Sequence, residues 1–168
     1  MENNIAVCLS GMLGRAKLGK DDIPLDVKHS IESLKKNVLK DVKHDIFSHT
    51  WANQEIEKTF ASLNPTQYSI TDPIKFSKPT QIELYYHDLR RGVKSFLKEF
   101  GRYKFNFSVA QNKLNNCMSQ LYSQGSSLNL MINYANINKI KYTHVLVTRY
   151  DVEFFSKFNF NNLSEKYI

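Results

Sequence analysis

The residues with the clearest chemical potential lie in Arg149–Glu153, where a cation precedes two carboxylates at alternate positions, Asp151 and Glu153. Carboxylate oxygens are the hard ligands that divalent cations prefer. An arginine beside them presents a planar fork of donors that matches phosphate oxygens. The pattern therefore indicates a site for a divalent metal that carries a diphosphate. It also suits a strand end whose charges simply meet water, because carboxylates are common there.

Short apolar runs predict the strands that position these charges. Tyr142–Thr148 is rich in β-branched and aromatic residues and has the apolar centre of a buried strand. Asn4–Ser10 is a continuous apolar run of the kind found in central parallel strands. Asp45–Trp51 and Tyr68–Thr71 predict two further strands.

Helices are predicted between the strands. From about Asp26 to Val42 apolar residues recur at helical spacing, with Asp26 placed as the N-cap. The connector before this helix, residues 23–25, contains a proline. Three more helical regions are predicted over Glu55–Leu63, from Thr80 to about Phe100, and from Ser108 to about Asn136, the last as one helix or two.

This alternation of strands and helices defines the expected fold. It predicts an α/β protein with a three-layer α/β/α arrangement, a mostly parallel sheet, and a single domain over residues 1–168. In such a sheet the carboxyl ends of the strands share one edge, where ligands bind. The candidate ligand-binding residues at that edge are Ser10, Gly11, Arg15, Thr50, Trp51, Asp72 and Arg149.

Several of these candidates also have ordinary structural explanations. Gly11 and Gly14 lack the third glycine of a dinucleotide fingerprint, which disfavours an NAD site. Trp51 is more typical of a core or rim aromatic than of a ring that stacks on a base, and Arg15 is also typical of a solvated surface cation. Gln120 lies in an apolar helix, where a polar side chain needs a partner, so it either faces the ligand or bridges core groups.

Composition limits the class of partner. The chain of 168 residues carries a net charge of +7, which favours anionic ligands. Its lysines are scattered rather than grouped, so a dedicated nucleic-acid-binding protein is disfavoured. Cys8 and Cys117 both lie in apolar surroundings and are expected to be buried free thiols of a reducing compartment. With no signal peptide or membrane span recognisable in the sequence, we expect a cytoplasmic protein.

Four stretches resemble the nucleotide-sugar-binding half of GT-A-type glycosyltransferases, of the type found in bacterial polysaccharide clusters and large DNA viruses. They are Ile5–Arg15, Asp45–Trp51, Met118–Tyr122 and Thr143–Phe154. The resemblance implies a Rossmann-like GT-A fold that binds a nucleotide-diphosphate sugar and transfers the sugar to a glycan or glycoprotein acceptor. It further implies that Asp151 and Glu153 correspond to the Asp-x-Asp motif that holds Mn²⁺ or Mg²⁺ in this family.

Two departures from the family pattern bear on activity. Glu153 replaces the second aspartate, which keeps a carboxylate but places it on a longer arm. Only residues 152–168 follow the motif, whereas the family's later half supplies the acceptor site and, in inverting enzymes, the base. Asp72 could stand in, but its spacing does not single it out, so no catalytic base is assigned. The alternatives are a catalytically inert nucleotide-sugar-binding module in a complex and, less favoured, a basic nucleic-acid-binding α/β domain.

Overall fold

The computed structural model describes residues 4–13, 15–18, 21–24, 26–52, 56–74, 76, 107–160 and 163. The chain divides into two compact units, one of residues 1–73 and 122–168 and one of residues 74–121.

The strands are β1 (Asn4–Gly11), β2 (Arg15–Leu18), β3 (Asp21–Pro24), β4 (Lys43–Trp51), β5 (Gln67–Thr71) and β6 (His144–Arg149). The helices are α1 (Lys28–Leu34) with a π-helical turn (Lys35–Leu39), α2 (Ile56–Leu63) and α3 (Phe107–Asn138). The helix predicted from Thr80 to about Phe100 lies outside the described residues.

A four-stranded parallel sheet forms the centre of the first unit. Its strand order is β5-β4-β1-β6, and every neighbouring pair runs parallel. The predicted α/β class and the mostly parallel sheet are therefore confirmed. The finer prediction, a three-layer GT-A arrangement, stays a prediction.

Successive residues of β1 point to opposite faces of the sheet and belong to different core clusters. Ile5, Val7 and Leu9 pack with buried residues of α1 and α2. Ala6 and Cys8 pack with a cluster that includes residues of α3 from its portion in the first unit. All five side chains are at most 1% exposed, and full burial of each of the three larger ones, Ile5, Val7 and Leu9, contributes about 1.5–3 kcal/mol. This burial explains why so short an apolar run forms the central strand.

The first helix is shorter than its sequence pattern predicts. Helical structure ends at Leu39, because Asp41 takes a positive φ of 67°, which no α-helix accommodates. At the other end Asp26 Oδ1 accepts the backbone N–H of Lys28 at 3.0 Å. Asp26 thus satisfies a first-turn donor as predicted, although the backbone cap position is Val27.

The segment before α1 contains two strands that the sequence did not predict, and the second of them includes Ile23 and Pro24 of the predicted connector. Strands β2 and β3 pair antiparallel there, with Arg15 opposite Pro24. Each strand has only four residues. Alternation over so few residues gives no reliable strand signal, and the proline occupies a strand end, where it is tolerated.

Strand β6 is less buried than predicted. Of the four strands it lies at one end of the order, so it has one neighbour, β1. Its residues alternate between half-buried and exposed, and Val145 and Val147 are 45% and 41% exposed. The run of valines and leucine looked like a central strand because periodicity cannot distinguish an apolar edge strand from a buried one.

The helical region predicted from Ser108 to about Asn136, as one helix or two, is the single helix α3, and Gly125 does not interrupt it. Its Cys117 is exposed, so the prediction that both cysteines are buried was wrong for this one. Cys8 is buried as predicted, and its burial raises the pKa of the thiol to about 12. None of the helices in the described part of the chain has an apolar stretch sufficient to cross a lipid bilayer.

Candidate functional site

The direction of chain connections singles out one position on the sheet. From β1 the chain proceeds to β4 and β5 on one side, and it later returns to the other side of β1 as β6. The strand order therefore reverses between β1 and β6. In open α/β sheets ligands bind in the crevice outside the carboxyl ends of the strands at such a reversal. Ser10 lies opposite Arg149 there, and Gly11 lies opposite Thr50 on the other side.

The end of β1 has a backbone conformation that favours glycine. Gly11 has a φ of 129°, a region that L side chains rarely adopt. The N–H of Tyr150 donates to the carbonyl of Ser10 at 3.3 Å, which extends the contact of β1 with β6 up to this point. A Cβ at Gly11 would stand 3.5 Å from the Tyr150 ring. Glycine is thus the residue that this backbone conformation accommodates without strain.

A buried histidine beneath this edge connects three elements. His49 of β4 is 0% exposed. Its Nδ1 lies 2.7 Å from the hydroxyl of Ser123 on α3, and its Nε2 lies 2.9 Å from the hydroxyl of Thr71 on β5. The same Ser123 hydroxyl accepts the N–H of Gly11 at 3.1 Å. These hydrogen bonds therefore hold the carboxyl end of β1 against α3 and, through His49, connect it to β4 and β5.

The environment of His49 favours the neutral imidazole. Burial lowers the pKa of His49, and the polar groups that contact its nitrogens are the uncharged hydroxyls of Ser123 and Thr71. Both hydroxyls can donate or accept, so each tautomer of the ring finds partners. His49 is in consequence a structural linker that is sensitive to acid.

Aromatic rings surround the same histidine. Trp51 lies edge-on to His49 with centroids 5.3 Å apart and stacks on Tyr122 at 5.4 Å and 24°. Trp51 is only 6% exposed, whereas Tyr122 is 38% exposed. The aromatic surface that the edge presents is thus that of Tyr122, with Trp51 behind it. The predicted contact of Trp51 with a nucleotide base stays a prediction.

The hydroxyls predicted to contact the ligand are engaged within the protein. Thr50 is fully buried, and its Oγ1 accepts the N–H of Leu13 at 3.1 Å. Ser10 is 2% exposed, and its hydroxyl donates to the carbonyl of Thr148 at 3.4 Å. Both residues position the turn after β1. Neither side chain is therefore free for a ligand in this arrangement, and the N–H groups of Gly11 and Leu13 are also bonded within the protein.

Arg149 and Asp151, which lie where the strand order reverses between β1 and β6, form a close ion pair. Arg149 Nε donates to Asp151 Oδ1 at 2.8 Å, and its Nη2 donates to Oδ2 at 2.6 Å. The side chains are 42% and 58% exposed. The hydrogen bonds from Arg149 lower the pKa of Asp151, and those to Asp151 raise the pKa of Arg149, so both stay charged. The pair was not foreseen from the sequence, which suggested separate roles for the two residues.

The backbone that carries the two carboxylates is held at both ends. Tyr150 is 3% exposed, and its hydroxyl donates to the carbonyl of His49 at 3.2 Å. The N–H of Phe154 donates to Ser33 Oγ on α1 at 3.0 Å. Between these fixed points Asp151 and Glu153 are exposed. Their side chains can therefore move while their backbone keeps its place.

The remaining predicted site residues lie elsewhere. Arg15 belongs to β2, and the placement of its side chain is not among the described features. Asp72 is exposed and follows β5, which is three strands away from β6, or about 14 Å at ordinary strand spacing. Gln120 is an exposed residue of α3 in the second unit. The structure thus brings together Ser10, Gly11, Arg149 and Asp151 at one strand edge, with Thr50 beside Gly11.

Sequence reasoning missed His49, Ser123 and Tyr150. A usable signal was present, because a histidine in the middle of a predicted buried strand needs hydrogen-bond partners. What the sequence does not show is the partner, since Ser123 lies 74 residues further along the chain.

A cavity lies at the opposite end of the sheet, away from the carboxyl ends of the strands. A cavity of about 410 Å³ lies at the amino ends of β4 and β5. It is lined by Lys35, Leu39, His44, Ile46, Leu63, Asn64 and Thr66. In open α/β sheets this end is not where ligands bind.

A search among protein-family models, curated proteins and solved structures found no match for the chain. In the described part of the chain there is also no group of three or more His, Cys, Asp or Glu side chains that could hold a metal ion.

Proposed function

We propose that the first unit binds a nucleotide-diphosphate sugar across the carboxyl ends of β1 and β6. On this proposal the protein is a metal-dependent glycosyltransferase, or the donor-binding portion of one, with a GT-A arrangement and a glycan or glycoprotein acceptor. The observation that carries it is the position of Gly11, Arg149 and Asp151 at the reversal of strand order. The sugar nucleotide itself is suggested by the sequence resemblance.

Each residue at the edge has a chemical role in this proposal. Gly11, which has no side chain, lets the diphosphate approach the backbone. Arg149 supplies two donors in the fork that matches phosphate oxygens. Tyr122 offers an exposed ring near the same edge for the base or ribose.

Asp151 and Glu153 would hold Mn²⁺ or Mg²⁺ in this proposal. Mg²⁺ is commonly bound through one or two carboxylates, substrate phosphates and water rather than by a cage of protein ligands. Two exposed carboxylates on a fixed backbone fit that kind of shared site. A cation there would neutralise the charge that develops on the leaving nucleotide.

The test is a thermal-shift panel of UDP-, GDP-, TDP- and CMP-sugars, each with and without Mn²⁺. A ligand that binds the folded state raises the apparent melting temperature. We expect a rise with one of the diphosphate sugars that is larger with Mn²⁺, and none with the CMP-sugar, which has a single phosphate.

A matched pair of variants makes this test specific. Asp151→Asn should abolish the Mn²⁺-dependent part of the shift. Asp41→Asn is the control, because Asp41 also forms an exposed ion pair, with Lys157 at 3.6 Å, away from the strand ends. Unchanged affinity in Asp151→Asn would refute the proposed site.

One observation favours the inert module as a second candidate. Both oxygens of Asp151 are bonded to Arg149, so the carboxylate is not free for a cation in this arrangement. A module would bind the nucleotide and release no sugar. Donor hydrolysis and transfer assays on the protein with Mn²⁺ separate the two candidates, since only the enzyme releases free or transferred sugar.

A further inference from the structure

The Arg149–Asp151 pair joins the two groups that the proposed function assigns to different parts of the ligand. Arg149 is the candidate phosphate-binding residue, and Asp151 is the candidate metal ligand. In the structure they bind each other through two hydrogen bonds of 2.8 and 2.6 Å. Neither is therefore ready for its ligand without a change of partner.

We propose that Arg149 exchanges Asp151 for the diphosphate, so that the anion and the divalent cation bind as a coupled pair. This inference rests on the proposed function and describes how the same site is controlled. While the guanidinium is paired with Asp151, it repels a second cation from that carboxylate. When phosphate oxygens take the guanidinium, Asp151 becomes free to hold the metal.

The chemistry of the two acceptors supports the exchange. A guanidinium binds carboxylate and phosphate with the same two-donor fork, so the diphosphate can replace Asp151 without new geometry. The diphosphate also carries more negative charge than a single carboxylate. The released Asp151 would help to hold the cation, whose positive charge would offset that of the lost ion pair.

The exchange requires only side-chain motion. The pair is exposed, with 42% and 58% of the two side chains accessible, and exposed ion pairs contribute little to stability. The backbone is fixed by the burial of Tyr150 and by the hydrogen bond from Phe154 to Ser33. The two side chains can therefore separate while the strand end stays in place.

The test measures each probe alone, by calorimetric titration of metal-free protein with Mn²⁺ or with inorganic pyrophosphate. In Arg149→Gln, Asp151 is free from the start, so Mn²⁺ alone should bind up to about fivefold more tightly, as the loss of a weak ion pair predicts. Pyrophosphate alone should bind more weakly to the same variant, because the variant lacks the guanidinium donors of Arg149.

The reciprocal variant should show the reverse. In Asp151→Asn the arginine is freed from its charged partner, so pyrophosphate should bind more tightly and Mn²⁺ should be lost. Lys157→Gln, which breaks the exposed pair with Asp41, should change neither affinity. Circular dichroism of each variant confirms that the fold is intact.

The outcomes separate this inference from the proposed function. Opposite changes in the two affinities on Arg149→Gln support the exchange. If both probes bind the unmodified protein and Mn²⁺ affinity is unchanged or reduced in Arg149→Gln, the exchange is refuted and the proposed function stands. If neither probe binds the unmodified protein or any variant, the exchange is refuted, and the thermal-shift panel of sugar nucleotides with Mn²⁺ decides the proposed function separately.

Discussion

The interior of the sheet and its exposed carboxyl rim use polar groups in different ways. In the interior, His49 is bonded to Ser123, 74 residues away, and at the half-buried start of β4 Asp45 accepts a hydrogen bond from Tyr142, 97 residues away. At the rim, Arg149 and Asp151 are only two residues apart and bond to each other. Bonds between distant segments disappear on unfolding, whereas a pair this local can re-form in an unfolded chain.

This difference separates residues that hold the fold from residues that are available for a ligand. Removal of a long-range polar link leaves a partly or fully buried partner without its hydrogen bond, which is costly. Removal of an exposed local pair costs little. Three substitutions test the comparison, and their expected effects on the free energy of unfolding decrease in the order given.

The largest loss is expected for His49→Gln. The glutamine can replace one of the two ring nitrogens but not both, so either the buried hydroxyl of Ser123 or the half-buried hydroxyl of Thr71 loses its bond to residue 49. We expect a loss of about 2–3 kcal/mol in the free energy of unfolding. Denaturant titration followed by circular dichroism at pH 7.5 measures it.

The same variant should also remove a dependence on pH. Burial lowers the pKa of His49, so the folded protein keeps the imidazole neutral while the unfolded chain begins to take up a proton below about pH 6.5. The stabilisation is complete above that pH and declines as the pH falls toward the lowered pKa of the folded state. Stability measured from pH 7.5 to 5.0 should fall less steeply in His49→Gln, and equal slopes would contradict the assignment.

A smaller loss is expected for Asp45→Ala. Asp45 accepts hydrogen bonds from Thr66 at 3.1 Å and from Tyr142 at 2.8 Å, which ties together the turns that lead into β5 and β6. The site is half-buried, so we expect a loss of about 1–2 kcal/mol. Denaturant titration with Tyr142→Phe and the double variant should show that the two effects are not additive. Additive losses would mean that the bond contributes nothing.

The sequence was sufficient to predict the parallel sheet. Continuous apolar runs such as Asn4–Ser10 that alternate with amphipathic helices are typical of parallel strands, and the parallel rule then places the strand ends on one edge. The prediction failed where the decisive information is not local. The valines of β6 look the same in a central strand and at an end of the sheet, and only the strand order distinguishes the two positions.

The candidate site shows the same limit. Arg149 and Asp151 were identified by type and position, but their mutual pairing depends on side-chain conformations that no spacing encodes. Thr50 was placed at the correct edge, yet the sequence did not reveal that its side chain is buried there, whereas the burial of Trp51 agrees with its interpretation as a core or rim aromatic. The network of His49 was missed because its partners on α3 and β5 come together only in the folded chain.

The smallest effect on stability is expected for Asp151→Asn. Hydrogen bonds from Arg149 lower the pKa of Asp151, so the ion pair stabilises the folded state above the ordinary carboxyl pKa, near 4, and loses this effect as the pH falls through the lowered value. Because the carboxylate is 58% exposed, we expect a loss below about 1 kcal/mol at pH 7 that shrinks further in 1 M NaCl. Denaturant titration at low and high salt, with Asp41→Asn as the control, measures it. A loss as large as that of His49→Gln would mean that the pair holds the fold, and the contrast between interior and rim would fail.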